Sequence, residues 1–143
     1  LYGLLDFRTG VLNYARAGHL LPILLDGSGK AMPLRMDVGQ PLGLFSKVVL
    51  DEEEVAIAPG GMMLFFTDGL NEAVDEKDEQ FGLQRIVDLL QASREESGKM
   101  ICKRLWKAVK EHSRAAPNQD DFAVLLIKRA SAHAKATDLT RPM

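Results

Sequence analysis

Two places in the chain set a carboxylate at the end of an apolar run. Met62–Thr67 stops abruptly at Asp68-Gly69, and Asp120-Asp121 opens directly onto the run Phe122–Ile127. A carboxylate at the end of a buried strand is costly to remove from water unless something pairs with it. Two such ends, each presenting an acid, point to a shared cation. Aspartate oxygens are hard ligands, suited to Mg²⁺ or Mn²⁺. If the two runs are adjacent antiparallel strands, the end of one lies beside the start of the other, and Asp68 meets Asp120. Without a cation, like charges held together would raise at least one pKa. The residues alone leave a plainer reading open. Asp-Gly after a strand is an ordinary turn, and an aspartate before a strand often caps local backbone.

The elements that must position these acids can be read from period and punctuation. Leu1–Asp6 and Val11–Ala17 are β-leaning runs around Phe7-Arg8-Thr9-Gly10, which predicts a hairpin. Gly18-His19 breaks the second strand, and Leu20–Leu25 follows, closed by Asp26-Gly27-Ser28-Gly29. Leu34–Met36 reads as a short strand and Gly39–Gly43 as a loop. Lys47–Leu50 and Val55–Ala58 are expected to flank a solvated acidic connection, Asp51-Glu52-Glu53-Glu54. Pro59-Gly60-Gly61 turns the chain into Met62–Thr67, whose lack of polar alternation predicts burial on both faces.

The period then changes. Phe81, Leu83, Ile86, Val87 and Leu90 recur at helical spacing, after acidic residues that suit a helix N-terminus. Ser93-Arg94-Glu95-Glu96 has the form of a capping box. Ile101, Leu105, Ala108, Val109 and His112 line a second helix. Met100 and Trp106 are read as core packing, and Cys102 as a buried small hydrophobe. Pro117-Asn118-Gln119 ends that helix and delivers Asp120-Asp121 to the last strand. Residues 130–143 have no periodicity and are expected to form a flexible tail. Strands, then two helices, then a strand describe an α+β domain, not a βαβ repeat.

Composition narrows the function classes. With 18 basic and 20 acidic residues, the net charge of −2 offers no electrostatic case for nucleic acid. A single cysteine excludes an internal disulfide and suits a reducing compartment. No apolar run reaches the roughly 20 residues of a membrane span, and no signal peptide opens the chain. A cytoplasmic location is the expectation.

A set of motifs adds to this. They are Tyr14-Ala15-Arg16-Ala17-Gly18-His19 with Pro22, Pro41-Leu42-Gly43, Pro59-Gly60, Thr67-Asp68-Gly69-Leu70-Asn71-Glu72-Ala73, Phe81-Gly82 and Gln119-Asp120-Asp121-Phe122. Each is weak alone. The ordered set, spread over Leu1–Lys128, resembles the sporulation-protein-E-type serine phosphatases of the protein phosphatase 2C-like, metal-dependent class. The resemblance implies a β-sandwich of antiparallel sheets flanked by helices, with residues 1–129 forming the C-terminal part of a catalytic domain. It implies a bacterial enzyme that removes phosphate from serine or threonine of a protein. In that class two Mn²⁺ or Mg²⁺ ions hold the attacking water, lower its pKa and neutralise phosphoryl charge.

By motif matching, the resemblance makes Asp68 and Asp120 the catalytic metal ligands. Asp121 takes a supporting or outer-ion role, and Glu72 a place around the ligands. Gly69 and His19 would lie near the substrate, His19 against a phosphate or an accessory ion; a satisfied loop histidine is the plainer alternative. The family's usual substrates are phosphorylated anti-anti-sigma-type regulators, and its members are often outputs of a sensor or receiver domain in the same chain. Signal transduction that controls sigma-factor availability is therefore implied. One rival is a phosphatase-like module that binds a phosphoprotein without turnover. Another is a carboxylate-metal phosphohydrolase working through an aspartyl-phosphate.

The chain departs from the family in one respect. The glycine-aspartate motifs that supply the remaining ligands have no counterpart between Leu1 and Asp68, and Leu1–Asp6 already reads as a strand. The expectation is a fragment lacking the N-terminal part of its domain. These 143 residues alone should bind Mn²⁺ weakly and show little activity. Titration calorimetry checks this: two micromolar Mn²⁺ sites would overturn it.

Overall fold

A computed structural model describes residues 1–32, 34, 39–114 and 121–131. The strands are β1 (Tyr2–Leu5), β2 (Val11–Arg16), β3 (Ile23–Leu25), β4 (Ala31–Met32), β5 (Asp51–Ala56), β6 (Met62–Phe66) and β7 (Val124–Lys128). Between the last two lie helices α1 (Asp68–Asn71), α2 (Gly82–Ala92) and α3 (Gly98–His112). The strands pair as two antiparallel sheets, ordered β1-β2-β5 and β4-β3-β6-β7. This is the expected sandwich with helices on one side.

β6 explains the layering. All five of its residues are buried. Alternate side chains of a strand point to opposite faces, so Met62, Leu64 and Phe66 meet Ile86, Leu90, Ile101, Leu105 and Val109 of α2 and α3. Met63 and Phe65 point the other way, against Leu12, Tyr14 and Ile57. The sheet is thus coated by helices on one face and by the second sheet on the other. Each such buried side chain contributes about 1.5–3 kcal/mol, which is why the strand needs no polar alternation.

Several expectations change. Asp51–Glu54 belongs to β5 and is not a solvated connection. Its register, Arg16↔Asp51 and Tyr14↔Glu53, turns Asp51 inward and leaves Glu52 and Glu54 exposed. Uniform charge hid that alternation. The α3 N-cap is Ser97, whose side chain accepts from the Met100 N–H, whereas Ser93 closes α2 by donating its hydroxyl to Leu89 O. The capping-box match at Ser93–Glu96 therefore fell one turn early.

No acid occupies the first turn of α2. Asp75 instead ties its own loop, accepting from the Lys77 and Glu79 N–H groups at 2.8 and 2.9 Å. Those bonds, the one from Glu79 foremost, hold its carboxyl below the ordinary range. Met100 and Trp106 are exposed, because the inward stripe of α3 runs through Ile101, Leu105 and Val109. Cys102 is half-buried on the same helix, and that burial pushes its thiol pKa up. The short strand lies at Ala31–Met32. Most of the expected Leu34–Met36 strand, and residues 132–143 of the expected tail, fall outside the described residues. Among those described, no helix is long and apolar enough to cross a membrane.

Tyr14 packs edge-on against Phe65 with ring centroids 6.2 Å apart, and its buried Oη has no hydrogen-bond partner among the described residues. Burial raises its pKa. An orphaned buried hydroxyl costs about 1–3 kcal/mol. Tyr14→Phe is therefore expected to leave the melting temperature unchanged or raise it. A fall would contradict this account of the inter-sheet layer.

Candidate functional site

The site forms where β6 runs out. The β6–β7 ladder pairs Phe66 with Val124 and continues one residue further. There the Thr67 N–H donates to Ala123 O at 3.1 Å and the Ala123 N–H donates to Thr67 Oγ1 at 3.0 Å. Thr67 is extended, and Asp68 begins the single turn α1. The next residue cannot be buried without enclosing a carboxylate, and Asp68 is exposed between buried Phe66 and buried Gly69. Its Oδ1 accepts from the Gly69 N–H at 2.9 Å. A carboxylate offers about four lone-pair sites, so Oδ2 remains for a ligand.

Gly69 lets the two strand ends touch. A Cβ at this buried position would lie 2.6 Å from Asp121 O and 3.3 Å from Phe122 Cβ. The entry into β7 therefore passes directly over the Asp68-Gly69 peptide, and Asp121 sits beside it with an exposed side chain. Asp120 lies outside the described residues, so its approach to Asp68 is not described. The antiparallel pairing that was to bring the two acids together is present. Glu72 caps α1, its N–H donating to Asp68 O at 2.9 Å, with its side chain exposed. Asn71, in the same turn, holds a buried Oδ1 without a partner among the described residues.

His19 arrives at the same end from the other sheet. The turn after β2 crosses to β3, and β3 runs antiparallel to β6 with Ile23 opposite Leu64. His19 thereby lines a cavity of about 270 Å³ together with Thr67, Ala123 and Phe66. Its Nδ1 lies 3.0 Å from Leu20 O. A carbonyl only accepts, so Nδ1 is protonated, and Nε2 is the atom with which the ring can meet a ligand, accepting in the neutral ring and donating in the imidazolium.

One pair escaped the sequence reading. Arg16 closes β2 and donates from Nε to Asp51 Oδ2 at 2.5 Å, with Nη2 also on that oxygen. Arg16 is 7% exposed and Asp51 2%. The sequence carries a faint signal for it, an arginine at the end of an apolar strand and an acid at the start of another, but spacing alone does not reveal their register.

The described donors fit a hard divalent cation in kind. Asp68 and Asp121 offer only oxygens, both exposed, as suits an ion that keeps several waters. Among the described residues no group of three or more His, Cys, Asp or Glu side chains is arranged to hold a metal. Asp68 and Asp121 would thus supply part of a coordination sphere.

With this geometry in view, the comparisons with known proteins fall into place. The family model described as stage II sporulation protein E matches residues 1–130. The chain is 30% identical over 92 residues to protein IcfG of Synechocystis, covering 64% of this chain and 14% of that protein. It is similar to the structure of the RsbU and RsbW domains of Rv1364c from Mycobacterium tuberculosis, at 27% identity and a TM-score of 0.67. That match covers 90% of this chain and 36% of the other. It also shares the fold of the SpoIIE phosphatase domain from Bacillus subtilis, described as Mn presoaked, at 12% identity and a TM-score of 0.68, covering 90% and 55%. The chain thus spans well under two thirds of each.

Gly69→Ala tests the close passage. Overpacking there is expected to destabilise by about 1–3 kcal/mol in a denaturant melt. Gly98→Ala, where the added methyl meets only Leu126 at 3.7 Å, is the control and should be near neutral. Equal effects would refute the passage.

Proposed function

The chain belongs to the stage II sporulation protein E family, and from that premise we propose that it forms part of a phosphatase domain acting on phosphoserine or phosphothreonine in a protein. The observation that carries the reading is the seating of Asp121 against Asp68-Gly69 at the end of the paired strands β6 and β7. We assign Asp68 and Asp120 as direct ligands of Mn²⁺ or Mg²⁺, with Asp121 in support. When bound, such ions neutralise phosphoryl charge and lower the pKa of a water that can act as nucleophile.

The remaining roles are assigned to neighbouring groups. The Gly69 N–H tethers one oxygen of Asp68 and leaves the other for a ligand. Glu72, on the same turn, is assigned to orient what surrounds the ligands. His19, with its Nδ1–H engaged by Leu20 O, is assigned to meet a phosphate oxygen by donating Nε2–H in the imidazolium form. The exposure of Asp68 and Asp121 suits a phosphorylated side chain presented on a large partner.

We assign a phosphorylated anti-anti-sigma-type regulator as the substrate and a sensor or receiver domain of the same protein as the input. The similarity to a Mycobacterium tuberculosis protein with RsbU and RsbW domains supports a regulatory setting. The single cysteine supports a cytoplasmic one.

The full-length protein provides the test. Mn²⁺-dependent phosphate release from a phosphoserine protein is expected, lost on chelation and restored by Mn²⁺. A metal site supplies several kcal/mol of charge stabilisation, so Asp68→Ala should lower the rate by at least about 100-fold. Equal rates for the two forms would exclude the metal mechanism and leave phosphoprotein binding without turnover.

A further inference from the structure

The ion pair Arg16–Asp51 lies in the layer between the sheets, one inward position beyond the Tyr14–Phe65 contact and toward the end where β6 stops. A buried pair is poor value as a stabiliser, since an apolar replacement often serves as well. Its surroundings indicate a different use. Arg16 Nη1 donates to His19 O at 3.0 Å while Nε and Nη2 hold Asp51. One planar guanidinium thus clamps the β2–β5 ladder to the turn that carries His19, a geometry that a lysine cannot reproduce.

A second restraint closes the turn from outside. The Gly18 N–H donates to Gly39 O at 3.1 Å, and Pro41 packs against Gly18. Gly39 itself is wedged over the pair: a Cβ there would stand 2.6 Å from Arg16 O and 3.2 Å from Asp51 Cβ. The loop then returns to β5 through Gln40 and Val49, which exchange bonds of 3.0 and 3.1 Å. The turn is held on both sides, and its one side chain at the cavity beside Thr67 and Ala123 is His19.

We propose that Arg16 and Asp51 are positioning residues for the candidate site, fixing the turn Ala17–Leu20 so that the His19 ring is presented to the substrate phosphate beside the β6 and β7 ends. The proposal rests on the phosphatase reading above and adds a residue-level determinant to it. Arg16 touches no substrate; it acts through His19.

A double-mutant cycle in the full-length protein separates positioning from mere stability. Arg16→Lys and His19→Ala should each lower kcat/KM on the phosphoprotein by roughly 10- to 100-fold. The double variant should be less than about 3-fold worse than Arg16→Lys alone, because a misplaced ring has little left to lose. Multiplying effects, or an Arg16→Lys variant that loses only melting temperature, would overturn the proposal. Where Arg16→Lys does not fold, Asp51→Asn takes its place.

A readout independent of turnover accompanies the cycle. In ¹⁵N-histidine-labelled wild type, His19 should show Nδ1 protonated and bonded, and Arg16→Lys should shift that signal. A wild-type ring protonated at Nε2 alone, with Nδ1 bare, or an unmoved signal, overturns the proposal with no activity measured. Asp68→Ala is assayed beside them to keep the two readings apart. If it abolishes turnover while the other two variants multiply, the phosphatase reading stands and positioning fails. If it retains turnover, the phosphatase reading fails and the histidine signal alone judges the positioning.

Discussion

The structure depends on the burial of β6 from both sides. Five consecutive residues are taken out of water by two different partners, a pair of helices and a second sheet. That double coating ties the layers to one strand. It also sets where the apolar run must stop. A carboxylate cannot follow five buried residues into the same environment without a compensating partner. Asp68 therefore surfaces at the point where the chain leaves the sheet, and β7, paired along the full length of β6, surfaces beside it.

How far this was legible in the sequence follows from what each signal measures. The run Met62–Phe66 and the helical stripe Ile101, Leu105, Val109 were readable because burial is written directly into residue type. The acidic strand Asp51–Glu54 was not, because its alternation is one of burial among residues of like charge, and only the partner Arg16 distinguishes Asp51. That partner lies across the sheet and has no sequence signature. The cap of α3 was misplaced between two serines four positions apart, each able to serve a helix end. Trp106 and Met100 were assigned to the core on hydrophobicity, whereas their angular position on α3 turns them to solvent.

The candidate site divides in the same way. Asp68, Gly69 and the entry to β7 were picked out by the contrast between apolar runs and the acids that end them, and their juxtaposition follows from strand pairing alone. Spacing alone did not supply the second sheet's contribution, and His19 was named only through the family resemblance. His19 reaches the same end only because the connection between β2 and β3 crosses there, and the Arg16 side chain bonded to its carbonyl is held by an acid 35 positions away.

The register of β7 against β6 has a consequence for misfolded molecules. Side chains alternate, so a slip of one residue would turn Leu126 outward and Leu125, now 61% exposed, into the helix-covered face. The same slip would carry Asp121 off the Gly69 peptide. Errors of assembly and loss of the Asp121–Gly69 contact are thus one event. A population of such chains would divide between two registers, one holding the Asp121–Gly69 contact and the other lacking it, each with one leucine turned outward.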